Sequence, residues 1–172
     1  MPNINTLWAT LLIEELIRCY LVTPFTHSHV RPFLQVLSSC SISPPRCRCG
    51  VDHFCVCPGS RSTPLAIAIG RNHRSSSRIF HDERSAGFYC VGYARGSGKA
   101  AACIVTSGTA VANLFPSVVE ASQAGIPMLL LTADRPPELR DCGANQTIDQ
   151  PALFGRYVRW TKDVPCPTDE VR

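Results

Sequence analysis

Four short apolar runs recur along the chain, at residues 53–56, 78–81, 100–105 and 128–132. Each closes on a polar turn, and helical spacing of apolar residues fills the stretches between them. Near-continuous apolar strands are buried on both faces, and parallel neighbours need a crossover helix between them. The pattern predicts an α/β fold, a parallel sheet with helices on both faces. In such sheets ligands bind outside the carboxyl ends of the strands. Four polar turns then converge on one end of the sheet: Ser60-Arg61, Asp82-Glu83, Ser107-Gly108-Thr109 and Asp134-Arg135.

The first turn is the most strongly punctuated. Cys57-Pro58-Gly59-Ser60-Arg61-Ser62-Thr63-Pro64 separates the run at 53–56 from the apolar stretch at 65–69. Pro-Gly ends the strand period, Ser62 or Thr63 can cap a helix, and Pro64 suits its first turn. Arg61 is left at the loop tip. There the free N–H groups of a helix start and a guanidinium fork both favour a carboxylate or phosphate. Taken alone, the octapeptide reads equally as an ordinary turn with a solvated arginine. Helices are expected at 64–71, 85–94 and 110–124, the last kinked or restarted at Pro116. Residues 82–84 read as a charged loop, and 157–161 as a last strand.

Residues 3–18 predict a first helix with Leu7, Trp8, Leu11, Leu12 and Leu16 on one broad face. The pattern then collapses: residues 20–48 hold no acid, lysine or glycine but four prolines, Pro24, Pro32, Pro44 and Pro45. So long a patternless connection counts against an integral element. Arg18-Cys19 and Arg48-Cys49-Gly50 flank it as a near-repeat, and excising 20–49 leaves a helix stop at Gly50 followed by a strand. We therefore read 20–49 as an insertion, such as a translated intron, with a disordered regulatory loop as the alternative. At 172 residues, the chain reads as one domain over 1–165, with a tail at 166–172.

A net charge of +4 with scattered basic residues gives no footprint for nucleic acid. No apolar stretch reaches the roughly 18 residues of a membrane span. Ten cysteines could suggest a disulfide scaffold, but no signal peptide is evident and a core of this size needs no staples. Cys47, Cys49, Cys55 and Cys57 form C-x-C pairs, whereas zinc sites favour C-x2-C. His27, His29 and His53 lie nearby and keep zinc as a minor alternative, but no metal ligand is assigned and Cys55 and Cys57 read as small apolar residues of a buried strand.

Together the turns are far more specific than any one of them. Pro58-Gly59-Ser60-Arg61-Ser62-Thr63-Pro64-Leu65, His81-Asp82-Glu83-Arg84, Thr106-Ser107-Gly108-Thr109-Ala110-Val111-Ala112-Asn113 and Thr132-Ala133-Asp134-Arg135-Pro136-Pro137-Glu138-Leu139 are followed by Asp141-Cys142-Gly143-Ala144-Asn145-Gln146. This set resembles the MenD family, the 2-succinyl-5-enolpyruvyl-6-hydroxy-3-cyclohexene-1-carboxylate synthases, and the corresponding module of the plant phylloquinone protein. The resemblance covers residues 3–19 and 50–165, and only the family's N-terminal pyrimidine-binding domain. It implies a thiamine-diphosphate-dependent transferase that decarboxylates 2-oxoglutarate and adds the product to isochorismate. The cofactor would be thiamine diphosphate with Mg2+ or Mn2+, whose ligands the resemblance places in a further domain.

The resemblance also implies the roles of single residues. Glu83 matches the glutamate that hydrogen-bonds the aminopyrimidine and favours its imino tautomer, whose nitrogen takes the thiazolium C2 proton. A partly buried carboxylate suits that task; a surface pair with Arg84 or Arg78 is the competing reading. Ser60, Arg61, Arg135, Asn145 and Gln146 fall where isochorismate is expected, and its carboxylates suit bidentate arginine recognition. Ser107, Gly108 and Thr109 line the cofactor side, or simply cap a helix. Cys57 departs from the small residue expected there. The family's sites form between the pyrimidine domain of one subunit and the diphosphate domain of another. A homo-oligomer is therefore implied for the full-length enzyme and no turnover for this chain alone. The implied enzyme is soluble, in the plastid of a photosynthetic eukaryote and otherwise in the cytoplasm. Two alternatives stay open: another thiamine-diphosphate carboligase, such as an acetohydroxyacid synthase, and a non-catalytic module docking on full-length subunits. A generic nucleotide binder is weaker, because no G-x-G-x-x-G follows a strand.

Overall fold

The computed structural model describes residues 9–10, 36–37, 51–161 and 163. Its strands are β1 (Val36–Leu37), β2 (His53–Val56), β3 (Ser76–Ile79), β4 (Ala101–Val105) and β5 (Met128–Thr132). Its helices are α1 (Thr63–Arg71), α2 (Glu83–Ser97), α3 (Thr109–Ala112) and α4 (Phe115–Gln123), with 3-10 turns at Pro137–Leu139 and Gly155–Tyr157. Ala9 and Thr10 are helical; the rest of the first helix expected at 3–18, and Trp8 with it, lies outside the described residues. The sheet order is β1-β5-β4-β2-β3. β2 runs parallel to β3 and β4, and β4 runs parallel to β5. The four strands that precede the four polar turns therefore all end at one rim, as the alternation requires.

Strand side chains alternate between two layers. On one face Cys55, Cys103, Val105, Met128 and Leu130 pack against Ala86, Cys90 and Val91 of α2, Val111 of α3 and Val118 of α4. On the other, Phe54, Val56, Ala102, Ile104, Leu129 and Leu131 meet Ala68 and Ile69 of α1, with Ala9. β4 is buried along its whole length, which is why its sequence reads as a continuous apolar run. α2 crosses α4 closely at Gly87, where an added Cβ would stand 2.1 Å from Ser117 Oγ. No helix among the described residues is long and apolar enough to cross a membrane.

Several boundaries differ from the sequence reading. Residues 82–84 are not a loop: Asp82 accepts from Arg84 N at 2.8 Å and caps α2, so Glu83 is its first helical residue. Ser62 stands at the N-cap of α1 without a side-chain cap, and its hydroxyl turns back to donate to Gly59 O at 3.1 Å. β3 begins at Ser76, whose N–H donates to Asp52 O at 2.7 Å, and ends at Ile79 rather than 81. The restart expected at Pro116 does occur: the helix is broken at Asn113 and Leu114, and Pro116 stands in the first turn of α4. No strand forms at 157–161: Tyr157 closes a 3-10 turn and packs edge-on to Phe115, centroids 5.7 Å apart. Val36 and Leu37, inside the segment read as patternless, pair antiparallel with Leu129 and Met128 at the free edge of β5. The remainder of 20–49 lies outside the described residues.

Candidate active site

The turns after β2 and β4 touch. A Cβ on Gly59 would lie 2.5 Å from Thr106 Cβ, so only glycine lets the Pro-Gly turn rest on the β4 end. Arg61 follows that turn, and its Nη1 donates to Gln146 Oε1 at 2.8 Å. Arg135, beyond β5, donates through Nε and Nη2 to the Asn145 carbonyl at 3.2 and 3.0 Å. Two guanidinium groups from different loops are thus drawn to one dipeptide. The buried Ser107 hydroxyl donates to Gln146 O at 2.9 Å. Gly108 has φ +77°, and a Cβ there would sit 2.9 Å from the Gln146 carbonyl carbon and oxygen. Gln146 is itself left-handed at φ 55°, an uncommon state for a side-chain-bearing residue. Arg61, Arg135, Ser107, Gly108, Asn145 and Gln146 therefore form one cluster. Ser60 and Thr109 are exposed at its margin, the first in the turn and the second at the start of α3.

Glu83 is half-buried, and Asn113 Nδ2 donates to its Oε2 at 3.1 Å. The competing surface pair does not form. Arg84 closes on Asp82 at 2.6 Å, and that hydrogen bond holds the Asp82 carboxyl down at about 2. Arg78 lies over the Tyr89 ring, 5.1 Å from its centroid. Cys57 is buried one residue beyond β2, its N–H donating to Ile104 O at 2.9 Å. Burial first, and then Cys103, Glu83, Cys55 and Asp82, push its thiol up to about 12, so it stays protonated at neutral pH. Among the described residues no group of three His, Cys, Asp or Glu side chains is placed to hold a metal ion.

Sequence reasoning missed two residues. Asn113 is the one polar residue in Ala110-Val111-Ala112-Asn113-Leu114, and that break in an apolar run was the available signal. Gln150 is 3% exposed; its Oε1 accepts from Gly108 N at 3.1 Å and its Nε2 donates to Ala133 O at 2.8 Å. No spacing or motif marks it, because its partners come from distant parts of the chain.

A sheet whose strand-end turns gather a carboxylate, two arginines and a glycine turn is an architecture shared by many enzymes; the family comes from sequence. Residues 47–153 match the family described as thiamine pyrophosphate enzyme, N-terminal TPP binding domain, and the chain belongs to it. Its relatives narrow the group further. The chain is 49% identical, over 166 residues, to the 2-succinyl-5-enolpyruvyl-6-hydroxy-3-cyclohexene-1-carboxylate synthase of Rubrobacter xylanophilus, covering 96% of this chain and 24% of the relative. It is 50% identical over 170 residues to the synthase of that name from Salinibacter ruber, covering 99% of this chain and 24% of the relative. The synthase of Chlorobium chlorochromatii is 49% identical over 169 residues, again with 24% of its length covered. The chain thus spans about a quarter of the length of these relatives.

Proposed function

We propose that this chain forms the pyrimidine-binding wall of a 2-succinyl-5-enolpyruvyl-6-hydroxy-3-cyclohexene-1-carboxylate synthase, which joins decarboxylated 2-oxoglutarate to isochorismate in menaquinone or phylloquinone formation. The observation that carries the reading is the joint placement of Glu83 and the Arg61–Gln146 and Arg135–Asn145 pairs at the strand-end rim. When bound, thiamine diphosphate supplies an acidic thiazolium carbon as the nucleophile for a 2-oxo acid. Glu83 holds the pyrimidine ring by a hydrogen bond and steadies its proton distribution; Asn113 engages one carboxylate oxygen and leaves the other for the ring. Ser107, Gly108 and Thr109 border that ring. Arg61 and Arg135, with Ser60, Asn145 and Gln146, bind the acid groups of isochorismate.

The site fits such ligands on its own polar inventory. Arg61 Nε and Thr106 Oγ1 are buried without a partner among the described residues, and buried polar groups of this kind call for one. The family resemblance assigns Mg2+ or Mn2+ to the diphosphate-binding part of the longer family chains, in a homo-oligomer whose partner subunit completes the site. Titrating the 15N-labelled chain with isochorismate tests the acid wall. Amide shifts are expected at residues 60–61, 135 and 145–146, with none for pyruvate; equal shifts for both acids would favour a small-keto-acid carboligase. The chain mixed with thiamine diphosphate, Mg2+, 2-oxoglutarate and isochorismate is expected to release no carbon dioxide, and turnover would contradict this division of the site.

A further inference from the structure

Gln150 is the polar residue most deeply built into the rim that the proposed chemistry does not use. Burying an amide costs several kcal/mol unless its groups are paired. Here both ends are occupied: Oε1 accepts from Gly108 N at 3.1 Å, and Nε2 donates to Ala133 O at 2.8 Å and, more weakly, to Thr132 Oγ1 at 3.4 Å. The orientation of the amide follows from these partners, since the reverse would set N–H against N–H and oxygen against oxygen. The partners belong to different elements. Gly108 opens α3, on the cofactor side, while Thr132 and Ala133 end β5 and lead to Arg135, on the acid side. Gly108 in turn has no room for a Cβ against Gln146, and Gln146 receives Ser107 and Arg61.

We propose that Gln150 is a positioning residue that locks the cofactor-side turn at Ser107-Gly108 to the acid-binding loop carrying Arg135 and Gln146, so that the two subsites keep a fixed spacing. It touches neither ligand. An apolar side chain of similar volume would fill the same space but would leave Gly108 N–H and Ala133 O unpaired and the two loops free to shift. The inference rests on the cofactor reading above. A glutamic acid at this position makes a sharp probe. Protonated, it keeps an acceptor for Gly108 and an O–H donor for Ala133; ionised, it has acceptors only and opposes the Ala133 carbonyl.

The test uses the full 172-residue chain, with amide hydrogen exchange at Gly108 compared with Ile104 and Leu130, and thiamine affinity read by NMR titration. In Gln150→Leu, Gly108 should exchange at least about tenfold faster while Ile104 and Leu130 stay protected, and thiamine binding should weaken by about tenfold. Gln150→Glu should match the parent while its carboxyl is protonated and the leucine variant once it ionises. This pH-dependent rescue also serves if Gln150→Leu fails to fold. Parallel loss of protection at all three amides, with thiamine affinity falling only as the folded fraction falls, would overturn the proposal. So would faster Gly108 exchange with unchanged thiamine affinity. A parent chain that binds no thiamine overturns the cofactor reading itself, which separates the two failures.

Discussion

The two ends of the proposed site are built differently. On the acid side, Arg61 and Arg135 converge on Asn145 and Gln146, and Gln150 and Ser107 tie that loop to the cofactor-side turn and the end of β5 through hydrogen bonds between loops distant in sequence. On the pyrimidine side, Glu83 begins a helix beside an edge strand exposed along its whole length, with Ile79 56% exposed and Phe88 48% exposed. One hydrogen bond, from Asn113, orients the carboxylate there. The contrast teaches how the work is divided. The proposed acid side is preorganised by hydrogen bonds between loops, whereas the proposed pyrimidine side offers an oriented carboxylate beside open surface. Preorganisation matters where two charged forks must meet an anion at a set distance, because rotamer ordering otherwise subtracts from affinity.

The largest effect should come where the cofactor-side turn meets the acid-binding loop most tightly. Gly108→Val forces a branched side chain into φ +77° and against the Gln146 backbone. With ψ −134° this is an extended positive-φ state that essentially only glycine adopts, costing about 1–3 kcal/mol, and with the clash the loss should reach about 3 kcal/mol in chemical denaturation. Ile79→Ser on the exposed edge should stay within about 0.5 kcal/mol; similar losses for the two would erase the contrast. Next, Arg61→Ala removes one hydrogen bond, worth about 1 kcal/mol of stability, but should weaken isochorismate binding tenfold or more by calorimetry. Asn113→Ala should be smaller still, under about 1 kcal/mol for an exposed bond. Its signature is several-fold weaker thiamine binding with isochorismate binding unchanged.

The smallest effect is one of pH, at the opposite end of the sheet. His53 stacks on Tyr93 at 4.1 Å, and burial lowers its pKa below 6.5, with Asp52 opposing and Arg78 adding to the shift. The unfolded chain then takes up the proton first. The associated stability is complete above pH 6.5 and declines as pH falls through the unfolded toward the lower folded value. His53→Phe keeps a stacking ring and should flatten the dependence of the unfolding midpoint between pH 7.5 and 5.

The parts of this architecture that repeat a local rule were legible in the sequence. β4 and β5 are buried on both faces, so Ala101–Val105 and Met128–Thr132 read as continuous apolar runs. The turns were legible because Pro58-Gly59 and Gly108 satisfy backbone demands that few other residues meet. β3 was misplaced by two residues because an exposed edge strand has no buried face to imprint a pattern on Ser76 and Ser77. Tyr157 and Val158 have strand-like side chains but pack against the α4 side of the core rather than joining a ladder. Gln150 was illegible for a different reason: its role is to join Gly108 to Ala133, and no local pattern records a contact between such distant residues.

The account stands on Glu83 as the residue that meets the pyrimidine ring. An NMR titration of the 15N-labelled chain with thiamine, run beside Glu83→Gln, addresses it most directly. The account predicts saturable amide shifts confined to residues 82–84, 106–109 and 113, reduced at least about tenfold in affinity by Glu83→Gln, with the amide dispersion of both chains otherwise unchanged. Shifts of equal affinity in the two chains, or none at these residues in the parent, would contradict it.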